Sequence, residues 1–395
     1  MYLKKSGVNW TKKNIFKVSH PYYILEKKQK SPTVEPNCIV FFGADFKNIR
    51  NLNVKEFVKK TNQCLEYIKK KYKGHKLYYK PHPDETDEFK QLKLDGFTFF
   101  RNGESSEDFL WKNKKNIDST FSVCSTSSIS SYNFGINSHV FFRGFLNCFD
   151  EQTYGFMQLW FGDMPDNFFI KNIGSDCVNN QKEIKENKIL ENKLRGVFNK
   201  NKGSVWLSVA ETRYVPAVVA LAILMKEIDY TKKINLVISN HHRWSEKHKT
   251  NIRDYFDTII ILPRFFYSLK PKTILNSILL SNKIKKLPVK SSDILIGFSY
   301  FEFVENCMMS YFKNNIKINF MTYANLKFHF DTASLDFVDL ASFKINKANR
   351  FYKNILEPLL GLNKTLFFND IKSGINIRRL VSPVNDVYDE IYLFR

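Results

Sequence analysis

Two short clusters of residues suited to phosphate chemistry follow predicted strands in the first half of the chain. The earlier cluster is Lys80-Pro81-His82-Pro83, directly after the β-rich run 76–79. Prolines on both sides restrict the backbone, so the imidazole of His82 is held at a strand end. A histidine there can donate to a phosphate oxygen or protonate a leaving group, because the ordinary pKa of histidine lies near neutral pH. A structural turn histidine is the alternative.

The later cluster is a run of hydroxyl side chains ahead of a predicted helix. Ser125, Thr126, Ser127 and Ser128 follow the strand-like run 119–124. Hydroxyl groups and the unpaired N–H groups of a helix start can bind a phosphate together, and the helix dipole favours its charge. Ordinary N-capping by a serine is the alternative, and the two roles can belong to different members of the run.

Gly43 ends a third predicted strand, the apolar run 37–43. A glycine there permits a turn close to a ligand, although tight-turn geometry alone also explains it. Ligands of open α/β sheets bind at the carboxyl ends of parallel strands. We therefore predict that Gly43, Lys80, His82 and the run Ser125–Ser128 line one site for an anionic ligand.

The elements that hold these clusters repeat in two series. Apolar strands alternate with helices from residue 37 to 142, and a second series runs from 205 to 323. Such alternation predicts an α/β fold with largely parallel sheets. We predict two Rossmann-like domains, 1–180 and 203–395, that face each other across a cleft. Within this plan 84–94 is predicted as a helix, 145–175 as loop-rich, 181–202 as a polar connector and 245–256 as a helix.

Carboxylates in the second series are candidates for a general base. Glu211 follows the strand-like run 205–210, where its carboxylate can accept a proton from a hydroxyl group. An ion pair with Arg213 is the alternative. The segment His241-His242-Arg243 and the residues Glu302 and Glu305 also follow predicted strands, with a surface or structural role as the simpler interpretation.

The composition favours anionic partners. The 395 residues carry a formal net charge of +22, which suits nucleotides, anionic glycans or an anionic membrane face, although solubility alone also accounts for it. Nucleic acid is not expected, because no zinc-finger or RNP-type motif accompanies the basic runs. These runs, at 69–71, 112–115 and 283–286, form solvated faces or a surface against a membrane.

The cysteines and the apolar segments set the expected compartment. The six cysteines are scattered without a C-x-x-C pair, which predicts reduced thiols and no metal framework. No apolar leader and no run of about 18 apolar residues is present. We expect a cytoplasmic protein, soluble or peripheral at the inner face of the membrane, that needs no metal and no cofactor.

With these motifs, the first half resembles the nucleotide-binding domain of bacterial sialyltransferases and polysialyltransferases and of relatives that transfer Kdo-type sugars in capsule and lipooligosaccharide synthesis. The resemblance rests on Lys80-Pro81-His82-Pro83 and on Ser125-Thr126-Ser127-Ser128. It implies a GT-B fold, with His82 and the hydroxyl residues at the phosphate of a CMP-activated sugar. Two features depart from the family: the order of the domains is reversed, and Thr322–Asn325 stands where an acidic triplet is expected.

The resemblance implies an inverting glycosyltransferase that moves an acidic sugar, sialic acid or Kdo-like, from a CMP donor to a glycan or glycolipid acceptor. Domain 1–180 then binds the donor and domain 203–395 the acceptor. A similar pairing of motifs occurs in CDP-glycerol glycerophosphotransferases, which is the first alternative. The second is a non-catalytic protein that binds glycans or membranes, built on a transferase fold without its base; a permuted enzyme or a piece of two modules also remains open.

Overall fold

The structure, a computed structural model, divides into two units that are described separately below. One unit spans 22–186, and the other combines the chain up to Pro21 with the chain from 187 onward. The residues described are 14–28, 31–46, 49, 51–83, 85–100, 104–161, 164–184, 188–210, 214–239, 249–250, 252–298, 302–322, 347–363 and 387–394.

The strands are β1 (Asn14–Val18), β2 (Cys38–Phe42), β3 (Lys76–Lys80), β4 (Phe97–Phe99), β5 (Ile117–Ser122), β6 (Asn137–Val140), β7 (Val205–Val209), β8 (Ile234–Ser239), β9 (Thr258–Leu262), β10 (Ile294–Gly297), β11 (Ile316–Thr322) and β12 (Glu390–Phe394). The helices are α1 (Val54–Lys71), α2 (Ser106–Asn113), α3 (Thr126–Asn133), α4 (Glu151–Phe161), α5 (Lys188–Lys200), α6 (Val215–Ile228), α7 (Pro271–Lys285), α8 (Phe303–Tyr311), α9 (Lys347–Phe351) and α10 (Glu357–Leu359).

The unit 22–186 contains a parallel five-stranded sheet in the order β4-β3-β2-β5-β6. Its central strand β2 is buried along its whole length, which explains its unbroken apolar sequence. The side chains of Phe41, Tyr79 and Phe121 pack on one core with Leu65 and Ile68 of α1. This shared packing fixes the positions of β2, β3 and β5 relative to one another along the strand direction.

The second unit contains a parallel seven-stranded sheet in the order β1-β12-β11-β10-β7-β8-β9. Strands β7, β8 and β10 are fully buried. A π-helical turn, Tyr352–Leu356, joins α9 to α10. Two parallel sheets flanked by helices confirm the prediction of two Rossmann-like α/β domains.

Strand β1 corrects the predicted domain boundary. Residues 1–180 were assigned to one domain, but Asn14–Val18 pairs in parallel with Glu390–Phe394 in the seven-stranded sheet. Helix α5 also belongs to that unit, although 181–202 was predicted to be a connector. Its buried residues recur with helical spacing, which anchors it to the unit: Leu190, Leu194, Val197 and Phe198.

Other local predictions are also corrected. A helix was predicted over 84–94, but within its described part, 85–94, only the short 3-10 turn Glu88–Gln91 forms. The Glu88 carboxylate accepts hydrogen bonds from the N–H groups of Thr86 and Asp87. Helix α4 forms within the loop-rich region 145–175. Of the predicted helix 245–256, residues 245–248 and 251 lie outside the described chain, and the 3-10 turn Arg253–Tyr255 follows.

All six cysteines are free thiols, four of them buried. In the described part of the chain, no helix is both long and apolar enough to cross a bilayer.

Candidate functional site

Three neighbouring strands of the five-stranded sheet end at one level. Phe42, the last residue of β2, pairs with Lys80 of β3 on one side and with Ser122 of β5 on the other. The chain runs from β2 outward to β3 and β4, and then returns to β5 on the other side of β2. The topological switch point therefore lies between β2 and β5, where open α/β sheets bind ligands.

The structure brings the predicted residues to this edge of the sheet. Gly43 follows β2, His82 lies two residues beyond β3, and the hydroxyl run begins three residues beyond β5. Adjacent strands are about 4.8 Å apart, so the ends of β3 and β5 lie roughly 10 Å apart. That span suits a nucleotide phosphate with the groups attached to it.

The backbone of His82 is held by a buried carboxylate. The N–H of His82 donates to Glu85 Oε2 at 2.9 Å, and the N–H of Glu85 donates to the carbonyl of His82 at 3.0 Å. The hydroxyl of Tyr79 donates to Glu85 Oε1 at 2.6 Å. Glu85 is fully buried, whereas the His82 side chain is partly exposed. The turn is thus fixed while the imidazole remains accessible.

Gly43 completes this arrangement. A Cβ atom at Gly43 would lie 2.3 Å from Glu85 Oε2 and 2.4 Å from the Tyr79 hydroxyl oxygen. The absence of a side chain therefore makes room for the pair that supports His82. Burial and the neighbouring Glu85 carboxylate raise the pKa of Tyr79 well above its usual value, so its hydroxyl stays protonated as the donor. The sequence reasoning missed Glu85; its signal was a carboxylate three residues after His82.

The hydroxyl run divides into a structural and an accessible part. Ser125 is the N-cap of α3, and its Oγ accepts the N–H of Ser127 at 3.2 Å. Ser128 is fully buried, and its hydroxyl shares a 2.8 Å hydrogen bond with that of Ser122. Thr126 is exposed, and Ser125 and Ser127 are partly exposed. Ser128 thus serves the fold, and Ser125, Thr126 and Ser127 remain available to a ligand.

Lys80 points into the protein. Its ammonium donates to the carbonyl of Glu104 at 2.9 Å and lies 5.9 Å and 5.4 Å from the ring centroids of Phe100 and Phe109. Burial lowers the pKa of Lys80 to about 8, although the carboxylates of Glu107 and Asp108 act in the opposite direction. Through these contacts, the Lys80 ammonium takes part in the packing of α2 against the sheet.

The seven-stranded sheet has a corresponding switch point, between β7 and β10. The predicted base Glu211 comes two residues after β7, but it lies outside the described residues, as does His241-His242-Arg243. Glu305 lies in the first turn of α8 and is buried. It accepts hydrogen bonds from the Tyr388 hydroxyl and, at 3.3 Å, from the N–H of Phe298. Glu305 is therefore structural.

The site in the unit 22–186 offers an imidazole, three hydroxyl side chains and the N-terminus of a helix along one sheet edge. All are hydrogen-bond donors, and none is an anion. Such a set can bind a phosphate group and stabilise negative charge that develops on a departing phosphate oxygen.

Comparisons with known proteins were made for the whole chain. No family model matches it, and no curated protein matches it. Among solved structures, a β-Kdo 2,7-transferase, KpsC of Thermosulfurimonas dismutans, is 18% identical over 31% of this chain and 40% of its own, with a TM-score of 0.21. The chain thus spans less than half of that protein.

Two further solved structures cover more of the chain at lower identity. GsuK bound to ADP is 11% identical over 80% of this chain and 74% of its own, with a TM-score of 0.19. The UDP-GlcNAc 2-epimerase of Neisseria meningitidis, bound to UDP-GlcNAc, is 12% identical over 83% of this chain and 95% of its own, with a TM-score of 0.18. At these scores, none of the three supports an argument about the chain's fold or activity.

Proposed function

We propose that the chain is an inverting glycosyltransferase that moves an acidic sugar from a CMP-activated donor to a glycan or glycolipid acceptor. The unit 22–186 binds the phosphate of the donor at the sheet edge where β2, β3 and β5 end at the same level. The observation that supports this is the pairing of Phe42 with both Lys80 and Ser122. This register brings the two motifs of the resemblance to one sheet edge, on either side of the switch point.

In this proposal the hydrogen-bonding groups at the sheet edge have separate roles. The hydroxyls of Thr126 and Ser127 and the start of α3 bind the phosphate of the donor. The imidazole of His82 donates to the oxygen that leaves with CMP as the bond from the anomeric carbon to that oxygen breaks. Because the pair Tyr79–Glu85 fixes the turn, His82 needs little reorganisation to reach this oxygen.

The acceptor side of the reaction is assigned to the second unit. An acceptor hydroxyl must lose a proton as it attacks the anomeric carbon, so a general base is required. Glu211 follows β7, which borders the switch point of the seven-stranded sheet, and it remains our candidate. A CMP-sugar turnover assay of Glu211→Gln tests this: turnover lost with CMP binding retained supports the role, and unchanged turnover contradicts it.

Nucleotide binding provides the first test of the donor site. We expect CMP to raise the melting temperature of the wild-type chain more than UDP or GDP does. His82→Ala removes a hydrogen bond to a charged group, so CMP affinity should fall by roughly 10- to 100-fold. Ser127→Ala should weaken CMP binding in the same direction.

Matched variants show whether such a loss is local. His75→Ala changes an exposed histidine at the amino end of the same strand, so it should bind CMP like the wild type. Absence of any shift with CMP and CDP, or equal losses in His75→Ala and His82→Ala, would contradict the donor site. Turnover with CDP-glycerol instead of a CMP-sugar would keep the site and replace the activity.

A further inference from the structure

Helix α7 has apolar side chains on two sides. Its buried face consists of Ser277, Leu280, Ser281 and Ile284, whereas Leu275 and Leu279 are 56% and 57% exposed. Ser277 Oγ donates to the carbonyl of Thr273 at 2.8 Å and shares a 2.9 Å hydrogen bond with the Tyr352 hydroxyl. Leu280 and Ile284 belong to the core, so they attach the helix to the fold without Leu275 and Leu279. A surface helix normally has polar residues outside its buried face.

Further exposed apolar side chains lie on the elements next to α7. Phe266 and Leu269, in the segment that leads into α7, are 43% and 47% exposed. The turn beyond Tyr352, which bonds to α7 through Ser277, adds Ile355 and Leu359, at 49% and 78%. Single exposed apolar residues are ordinary, but a concentration on adjoining elements indicates a surface that contacts another apolar phase or molecule.

The segment that carries Phe266, Leu269 and α7 is basic. Residues 263–290 contain no Asp or Glu. On α7 and just beyond it, Lys272, Lys283 and Lys286 continue the stripe of Leu275 and Leu279 at spacings of three and four residues. Positions with this spacing share one face of a helix. The same segment also carries Arg264, Lys270, Lys285 and Lys290.

We propose that this apolar-basic face, formed by Phe266, Leu269, Leu275 and Leu279 with the lysines of α7, binds the surface of an anionic phospholipid bilayer. Exposed leucines flanked by lysines, in a segment 263–290 without acidic residues, match the interfacial region, where acyl chains meet phosphate headgroups. Charge complementarity selects this partner, since a protein partner would have to be both acidic and apolar over the same area. The proposal is independent of the donor site.

Vesicle flotation tests the proposal with the full chain. The wild type should bind vesicles of phosphatidylcholine mixed with phosphatidylglycerol, bind phosphatidylcholine alone much less, and dissociate as salt rises. Each lysine near such a surface contributes about fivefold in affinity, so Lys283→Gln with Lys286→Gln should weaken binding roughly 25-fold. Leu275→Gln with Leu279→Gln should weaken it about tenfold or more.

Two controls from the other unit match these changes. Leu146→Gln alters a leucine that is 54% exposed, and Lys73→Gln with Lys93→Gln removes two exposed lysines. Both should bind vesicles like the wild type. Failure of the wild type to bind anionic vesicles, or equal weakening by the controls, would overturn the proposal. So would a change of oligomeric state in Leu275→Gln with Leu279→Gln while vesicle binding persists, because a second copy would then occupy this face.

Discussion

The hydroxyl of Tyr79 donates to the carboxylate of Glu85 at 2.6 Å in the space that a side chain at Gly43 would fill. The second unit repeats the arrangement at β10. There the Tyr388 hydroxyl donates to Glu305, and a Cβ atom at Gly297 would lie 2.4 Å from Glu305 Oε1. In each unit a buried tyrosine–glutamate pair thus occupies the space beside a glycine at the end of a strand that borders the switch point, β2 or β10.

Gly43→Ala should destabilise the protein. The new methyl group would overlap Glu85 and Tyr79, both of which are buried, so neither can move away freely. Overpacking of this kind costs about 1–3 kcal/mol of the free energy of unfolding. Urea unfolding measures the loss, with Gly144→Ala as the control, because its nearest neighbouring atom would be 3.4 Å away. Equal stabilities of the two variants would show that the pair Tyr79–Glu85 is not tightly packed.

Glu85→Ala should impair both stability and CMP binding. It leaves the Tyr79 hydroxyl and the His82 N–H without their acceptor, at about 1–3 kcal/mol for each buried group. Glu85→Gln keeps an acceptor oxygen and should fall between Ala and the wild type. Unfolding and CMP titration are measured on the same samples. If Glu85→Ala bound CMP like the wild type, Glu85 would support the fold and not the position of His82.

Lys80→Met should make the free energy of unfolding less dependent on pH in the alkaline range. Burial lowers the pKa of Lys80 to about 8, so between about pH 8 and 10.5 the unfolded chain binds more protons than the folded chain. The free energy of unfolding therefore rises with pH across this window, by up to about 3 kcal/mol from this residue. Urea unfolding across the window should show a flatter profile for Lys80→Met than for Lys76→Met, which changes an exposed lysine of the same strand. Parallel profiles would contradict the shift.

His139→Gln should protect the protein against acid. His139 is fully buried, its Nδ1 lies 3.1 Å from the carbonyl of Asn167, and burial lowers its pKa to about 4. The unfolded chain takes up a proton near pH 6.5, so stability falls as pH drops from 6.5 toward 4, by about 3 kcal/mol from this residue. Thermal melts across this range should show a shallower loss for His139→Gln than for the wild type or for His75→Gln. An equally steep loss would contradict the prediction.

The strands were predicted from the sequence more accurately than the pairing of β1 and the placement of helix α5. Runs such as Cys38–Phe42 are apolar because both faces of the strand are buried, and that pattern is readable. The pairing of β1 with β12 was not readable, because nothing local to Asn14–Val18 identifies so distant a partner. A helix was expected within the connector, but its many polar residues hid the apolar face of Leu190, Leu194 and Val197 that anchors α5 to the second unit.

The motif residues of the candidate site were predicted from the sequence, whereas the residue that supports His82, Glu85, was not. His82 and Ser127 were predicted because residues that follow parallel strands often contact ligands, and both do lie beyond the ends of parallel strands. Glu85 was missed because a carboxylate beside prolines and acids appears solvated in sequence, and only the fold shows its burial. Lys80 was included because it belongs to the motif Lys80-Pro81-His82-Pro83, whereas the alternation of β3 directs its side chain toward Glu104 and Phe109.

The position of β1 has a consequence for how the chain folds during synthesis. β1 is an edge strand whose neighbour in the sheet is β12, so Asn14–Val18 leaves the ribosome long before Glu390–Phe394 exists. The described strands of the unit 22–186 all precede residue 141, so this unit can form its sheet before β12 is synthesised. An unpaired strand exposes backbone groups that attract other strands. Until Glu390–Phe394 has been synthesised, β1 therefore lacks its partner and is open to pairing with other chains.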